Sequence, residues 1–183
     1  MSFVICVFLA NGFEEIEALT PVDFLRRCEL DVKMIGVGDP VVTGSHGISV
    51  VCDLTAPELP LEQVEAVILP GGMPGTLNLE NSLVVRAAIE HCVSEGKLVA
   101  AICAAPSILG HMGLLEGKKA TCFPGFEEQL TGAEYVNAPV VRDGNILTSK
   151  GAGTASQFAF ALAEIFCSPE RARVLREGIQ WQE

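Results

Sequence analysis

Short, unbroken apolar runs alternate with amphipathic segments along this chain, and that alternation constrains the fold more than any other feature. Phe3–Ala10 (FVICVFLA), Asp31–Val37, Ala66–Leu69 (AVIL) and Leu98–Ile102 (LVAAI) read as strands. The runs in 3–10, 66–69 and 98–102 are apolar at successive positions, so both of their faces must be covered, as in a parallel sheet. Glu14–Cys28 reads as a helix with acids in its first turn and Arg26-Arg27 in its last, the order the helix dipole favours. Ser82–Glu95 is amphipathic, with Val85, Ala88, Ile89 and Cys92 as its apolar stripe and Gly96 ending it. Repeated strand–helix units of this kind predict an α/β protein. The expectation is a flavodoxin-like, doubly wound, mostly parallel sheet with helices on both faces, in one domain over 1–183.

The remaining segments fit the same plan. Val41–Val51 is a short extended excursion around Gly44 and Gly47, and Pro70-Gly71-Gly72 reverses the chain after the third strand. Helix-like sequence restarts directly after Ile102 and runs to about Met112. Val140–Ser149 (VVRDGNILTS) is a hairpin with Asp143-Gly144 at its turn. Helices follow over Thr154–Phe166 and about Pro169–Gly178. In doubly wound folds the functional crevice lies at the carboxyl ends of the strands. Sequence order alone sends four features there: residues 10–17, Gly71-Gly72, Cys103 and the loop 149–153.

Composition excludes several functions. The chain is 49% hydrophobic and 19% charged, enough for a large core, and its net charge is −11. An acidic chain without a basic stripe is not built to hold a phosphate backbone, so no nucleic-acid partner is expected. The longest weakly polar stretch, 98–110, is too short to span a membrane and is interrupted by Pro106. The apolar N-terminus lacks a basic leader and reads as a first strand, so no membrane partner or export signal is expected. Seven cysteines, an odd number with no CxxC spacing, read as free thiols in a reducing, cytoplasmic setting. Three scattered histidines, His46, His91 and His111, form no zinc pattern, and no metal or cofactor is expected.

Cys103 carries the chemistry. In Val99-Ala-Ala-Ile-Cys-Ala-Ala-Pro106 a strand runs into a helix without a loop, with the cysteine at the hinge and small residues around it. That is the logic of a nucleophile elbow, where a sharp turn exposes the side chain. Backbone N–H groups of the new helix are expected to lower the thiol pKa, and those of Gly72 and Ala104 are candidates for an oxyanion hole. Glu17, flanked by Ile16 and Ala18 as the first helix approaches the crevice, is the candidate acid; Glu14 and Glu15 read as a solvated first turn. Cys6, Cys92 and Cys167 read as structural, and Cys52 and Cys122 as partly exposed. Gly151-Ala-Gly153 lacks the spacing of a phosphate loop.

NGFEEIEALTPVDFLRR (11–27), LPGGMPG (69–75), AAICAAP (100–106) and LTSKGAGTASQFA (147–159), in that order, resemble the ThiJ/PfpI (DJ-one) superfamily, in particular its YajL-like branch. The resemblance covers nearly the whole chain. It implies a fold of the class I glutamine-amidotransferase type and a homodimer. It makes Cys103 the reactive residue, Glu17 a protonated acid hydrogen-bonded to it, and Gly72 and Ala104 the backbone donors. It matches Arg27 and His46 to positions lining an anion-accepting pocket near the dimer interface, although His46 stands where arginine is expected. Ala104 and Phe123 occupy places where other branches carry a histidine, so the resemblance does not imply a peptidase. It implies a cofactor-independent glyoxalase or protein deglycase acting on a small 2-oxoaldehyde or a glycated protein. The alternative is a redox sensor or redox-regulated chaperone that works through oxidation of Cys103.

Overall fold

The computed structural model describes residues 3–182; the expected domain limits at 1 and 183 lie outside the described residues. The first apolar run forms β1 (Val4–Leu9), buried at every position. Helix α1 (Glu15–Arg27) follows, capped by Glu14 and Cys28, and leads into β2 (Val32–Gly36). The excursion after it is an antiparallel pair, β3 (Val41–Thr43) and β4 (Ser49–Val51), outside the main sheet. A short β5 (Leu54–Thr55) returns to the sheet, and β6 (Val64–Leu69) enters its centre. Next come α2 (Gly75–Glu80), α3 (Leu83–Ser94), β7 (Leu98–Ile102) and α4 (Pro106–His111). A small parallel pair, β8 (Lys119–Ala120) and β9 (Glu134–Tyr135), precedes the hairpin β10 (Val140–Asp143) and β11 (Ile146–Ser149). Helices α5 (Ala155–Phe166) and α6 (Pro169–Gly178) complete the chain.

The main sheet has seven strands in the order β10-β11-β7-β6-β1-β2-β5. Every neighbouring pair is parallel except β10–β11. From β1 the chain winds outward to β2 and β5; from β6 it winds the other way, to β7 and β11. The reversal lies between β1 and β6, and a crevice opens at such a switch point, beyond the carboxyl ends of the strands. The expected doubly wound α/β architecture is therefore the observed one.

Alternate residues of each central strand serve opposite cores. Cys6, Phe8, Val67, Leu69, Val99 and Ala101 pack with α2, α3 and α4 through Leu79, Val85, Ile89 and Ile108. Ile5, Val7, Leu9, Ile68, Ala100 and Ile102 pack with α1 and α5 through Val22, Leu25, Phe158 and Leu162. The stripe expected on 82–95 is fully buried, and Ser82 caps that helix by accepting the Val85 N–H.

Two local expectations need correction. Asp143 pairs with Ile146, so the hairpin turn is Gly144-Asn145, one residue later than expected, with Gly144 taking the positive φ of 60°. Cys52 and Cys122 are buried, because the segments that carry them pack onto opposite faces of the sheet. Among the described residues no helix is long and apolar enough to cross a membrane.

Candidate active site

Three strand ends meet at the crevice. β7 delivers Cys103, whose φ of 66° lies in the left-handed region. That conformation costs a non-glycine residue roughly 1–3 kcal/mol and persists only when neighbours enforce it. Here the Cys103 N–H donates to the Ser149 carbonyl at 2.9 Å, and its own carbonyl accepts the Phe123 N–H at 2.8 Å. Ala104 and Ala105 leave room for the turn, and Pro106 opens α4 at a position where no N–H is needed. The side chain of Cys103 is half-buried.

β6 delivers Gly71 and Gly72, and both must be glycine. A Cβ on Gly71 would stand 2.6 Å from the Cys103 Cβ and 2.7 Å from Glu17 Oε2. Gly72 has a φ of 88°, and a Cβ there would stand 2.4 Å from the Glu14 nitrogen. The glycine pair thus lets the β6 terminus lie directly against the cysteine and the glutamate.

Glu17 comes from the first turn of α1 and is 1% exposed. Its Oε2 accepts the Gly71 N–H at 2.9 Å. The Ala152 N–H and the Cys103 thiol complete its partners. Pro21, four residues on, has no N–H to give the Glu17 carbonyl, so the helix is weakened where it presents this side chain. Burial pushes the Glu17 carboxyl up to about 7, against the hydrogen bonds that favour its ionised form.

The Cys103 sulfur lies within reach of the backbone N–H groups of Ala104 and Gly72, the two donors expected from the sequence. The expected lowering of its pKa is not observed. Burial, and then the negative charge and hydrogen bond of Glu17, push the thiol up to about 12 and outweigh the two N–H groups. The two groups therefore titrate as one unit. The first proton leaves the pair near 7 and the second near 12, so between those values the pair holds one proton and one charge. Two backbone donors face the sulfur and two face the carboxylate. Both atoms thus have backbone donors for a negative charge, while the difference between the two values keeps the shared proton on the sulfur and the charge on Glu17.

Glu15 corrects the expectation of a solvated first turn. It is 5% exposed, and its Oε1 accepts the His46 N–H at 2.8 Å and the Ile48 N–H at 3.4 Å. Its Oε2 lies 2.9 Å from His46 Nδ1. These hydrogen bonds outweigh the cost of burying Glu15 and hold its carboxyl down at about 2. The contact with Glu15 raises the His46 pKa. Among the described residues, Glu14, Glu15 and His46 bring three metal-competent atoms within 4.8 Å of one another. Ser45 Oγ and the 46 and 48 amides also lie against these carboxylates.

The structure therefore gathers Glu17, Gly72, Cys103 and Ala104 at one point. It does not bring Arg27 to them. Arg27 ends α1, ten residues and about 15 Å from Glu17 along the helix, and its Nε donates to Asp23 at 2.7 Å. His46 is engaged with Glu15. Ala152 escaped the sequence reading because a backbone donor leaves no side-chain signature; the small-residue loop 151–153 after a strand was its trace.

The DJ-1/PfpI family profile matches residues 4–165. Protein dj-1beta of Drosophila melanogaster is 35% identical over 182 residues, which cover 98% of this chain and 97% of that protein. The crystal structure of Drosophila melanogaster DJ-1beta matches with a TM-score of 0.94 at 34% identity, covering 100% of both chains. Deglycase PH1704 of Pyrococcus horikoshii is 38% identical over 144 residues, covering 77% of this chain and 86% of that protein. Protein DJ-1 homolog B of Arabidopsis thaliana is 40% identical over 167 residues, 90% of this chain, which corresponds to 38% of that longer protein. Fold and kinship agree, and the chain belongs to the DJ-1/PfpI family.

Proposed function

We propose that the protein is a cofactor-independent cysteine enzyme acting on 2-oxoaldehydes, free or as protein adducts, with Cys103 as nucleophile at a strand-to-helix elbow and Glu17 as its acid–base partner. The observation that carries this reading is the contact between the Glu17 carboxyl and the Cys103 thiol, with backbone donors on both. The name deglycase of the Pyrococcus relative supports the same substrate class.

The chemistry balances without a cofactor. The Glu17 carboxylate takes the Cys103 proton as the sulfur adds to the aldehyde carbon of methylglyoxal, and the new oxyanion faces the N–H groups of Gly72 and Ala104 before it takes that proton from Glu17. The Glu17 carboxylate then removes the hydrogen from that carbon and returns a proton to the adjacent carbonyl carbon, which leaves a lactoyl thioester. Water cleaves the thioester, giving lactate and the free thiol. Lactate formation in an amine-free buffer tests this. Cys103→Ser is expected to fall to the uncatalysed rate, and full turnover by that variant would refute the proposal.

The half-buried position of Cys103 favours a second reading, redox sensing. Oxidation to the sulfinic acid would place its oxygens against the N–H groups of Gly72 and Ala104 and the Glu17 proton. Mild peroxide should then add two oxygens at Cys103 in the wild type and not in Glu17→Leu. Equal oxidation across all seven cysteines would count against it.

A homodimer belongs to the same proposal. Ile16, Val41, Ile48 and Val51 are exposed on the start of α1 and the β3–β4 pair, which Glu15 joins. Large apolar side chains grouped in this way favour association. Arg27 would join an anion-accepting pocket across such a subunit boundary, and His46 would contribute there beside Glu15.

A further inference from the structure

Beyond Cys103, the seven cysteines include one pair placed for chemistry. Cys28 caps α1, its N–H donating to the carbonyls of Phe24 and Leu25. Cys167 caps α5, its N–H donating to Ala163 at 2.8 Å. These two helices pack side by side, with the Phe24 and Phe160 rings 5.1 Å apart between centroids. Their carboxyl ends therefore finish together, and the two thiols are neighbours in one core cluster, close enough to act on each other's charge.

A second contact holds the same corner. Arg171, one turn beyond Cys167, reaches back to Glu29, the residue after Cys28, with Nη2 2.8 Å from Oε1. Its guanidinium also lies near the Cys28 sulfur and favours the ionised form there, an effect that burial outweighs. Access is one-sided: Cys28 is 5% exposed, whereas Cys167 is partly open to solvent. Cys6 and Cys92 also influence one another, but both are fully buried and have no route to an oxidant.

We propose that Cys28 and Cys167 form a reversible intramolecular disulfide when the protein meets hydrogen peroxide. The Cys167 thiolate attacks a peroxide oxygen; the O–O bond breaks, leaving a sulfenic acid and a hydroxide that takes up a proton. The Cys28 thiol gives up its proton and its sulfur attacks that of Cys167. The S–O bond breaks and the oxygen leaves as water. In sum two thiols lose two electrons and two protons, and one peroxide becomes two waters. Burial pushes the Cys28 thiol up to about 11, which fits its role as the second, resolving group once Cys167 is oxidised. Both residues sit at helix C-caps, just outside the helical ladder, and the bond requires the sulfurs to close to about 2 Å. The bond fastens the end of α5, and with it the start of α6, to α1. It does not depend on the chemistry proposed for Cys103.

The test is peptide mapping of the full-length protein after peroxide treatment and alkylation of the remaining thiols. A linked peptide containing Cys28 and Cys167 is expected, lighter by about 2 Da than the two reduced peptides together and released by dithiothreitol. It should persist in Cys103→Ala and vanish in Cys167→Ser, whose half-exposed position tolerates the change. Recovery of Cys28 and Cys167 as free thiols, or as separately oxidised residues, at a peroxide dose that fully oxidises Cys103 would overturn the proposal.

Discussion

Glu17 and Glu15 are two residues apart on one helix turn, both buried, and driven in opposite directions. Burial dominates at Glu17 and lifts it to about 7; hydrogen bonds dominate at Glu15 and hold it at about 2. Linkage gives each shift a sign. Glu17 binds its proton more tightly folded than unfolded, so its contribution to stability is complete below its ordinary value of 4.5 and is lost as pH rises through about 7. Glu17→Gln removes that loss. Chemical denaturation should show the wild type losing roughly 3 kcal/mol relative to the variant between those pH values, and parallel curves for the two proteins would contradict the assignment. Cys103 and the Gly71-Gly72 pair were legible because small residues at a hinge leave a sequence signature. Glu15 was not, because its partners lie 31 and 33 residues away on a separate hairpin. The direction of the Cys103 shift also stayed hidden, since it depends on how deeply the fold buries both groups.

Among the elements, the β3–β4 pair owes its placement to hydrogen bonds rather than to the main sheet. Gly12 donates to the Thr43 carbonyl at 2.8 Å, Thr43 N–H to Asn11 Oδ1 at 2.9 Å, and Ser45 N–H to the Phe13 carbonyl at 2.8 Å. Glu15 adds the bonds to 46 and 48, and a Cβ on Gly44 would strike its carboxylate at 2.3 Å. The hairpin is thus bolted to the segment that leads into Glu17. Glu15→Gln should free the turn at a cost of about 1.5–3 kcal/mol for a charge-assisted bond, read as faster hydrogen exchange at the 46 and 48 amides; unchanged exchange would show that the other bonds suffice. In the wild type this support is present above pH 4.5 and is lost as pH falls toward 2. Long periodic elements such as α1, α3 and α5 were legible from spacing alone. The two-residue strands β5, β8 and β9 and the six-residue α2 were not, because fewer than two turns or one pleat repeat carries no periodic signal.

For the whole molecule, the winding order makes the site. Residues separated by 54 positions, Glu17 and Gly71, meet because β1 and β6 are neighbours at the point where the winding reverses. The continuous apolar runs announced that sheet, and its strand ends located the crevice before any side chain was placed. Which pairs would touch there was not legible, because register is set by packing across the sheet. If the exposed face of Ile16, Val41, Ile48 and Val51 is a subunit boundary, light scattering should give twice the chain mass, and Ile48→Asp should return it to one; a monomeric wild type would contradict that. The most direct test of the site as a whole is the alkylation rate of Cys103 as a function of pH in wild type and Glu17→Gln, followed by peptide mass. With the Glu17 charge beside it, the Cys103 thiol is expected to keep its proton up to about 12 in the wild type, and removing that charge in Glu17→Gln is expected to bring the rise in rate to lower pH. Superimposable profiles, each rising only at the ordinary thiol value of about 8.5, would show that Cys103 and Glu17 do not act as a unit.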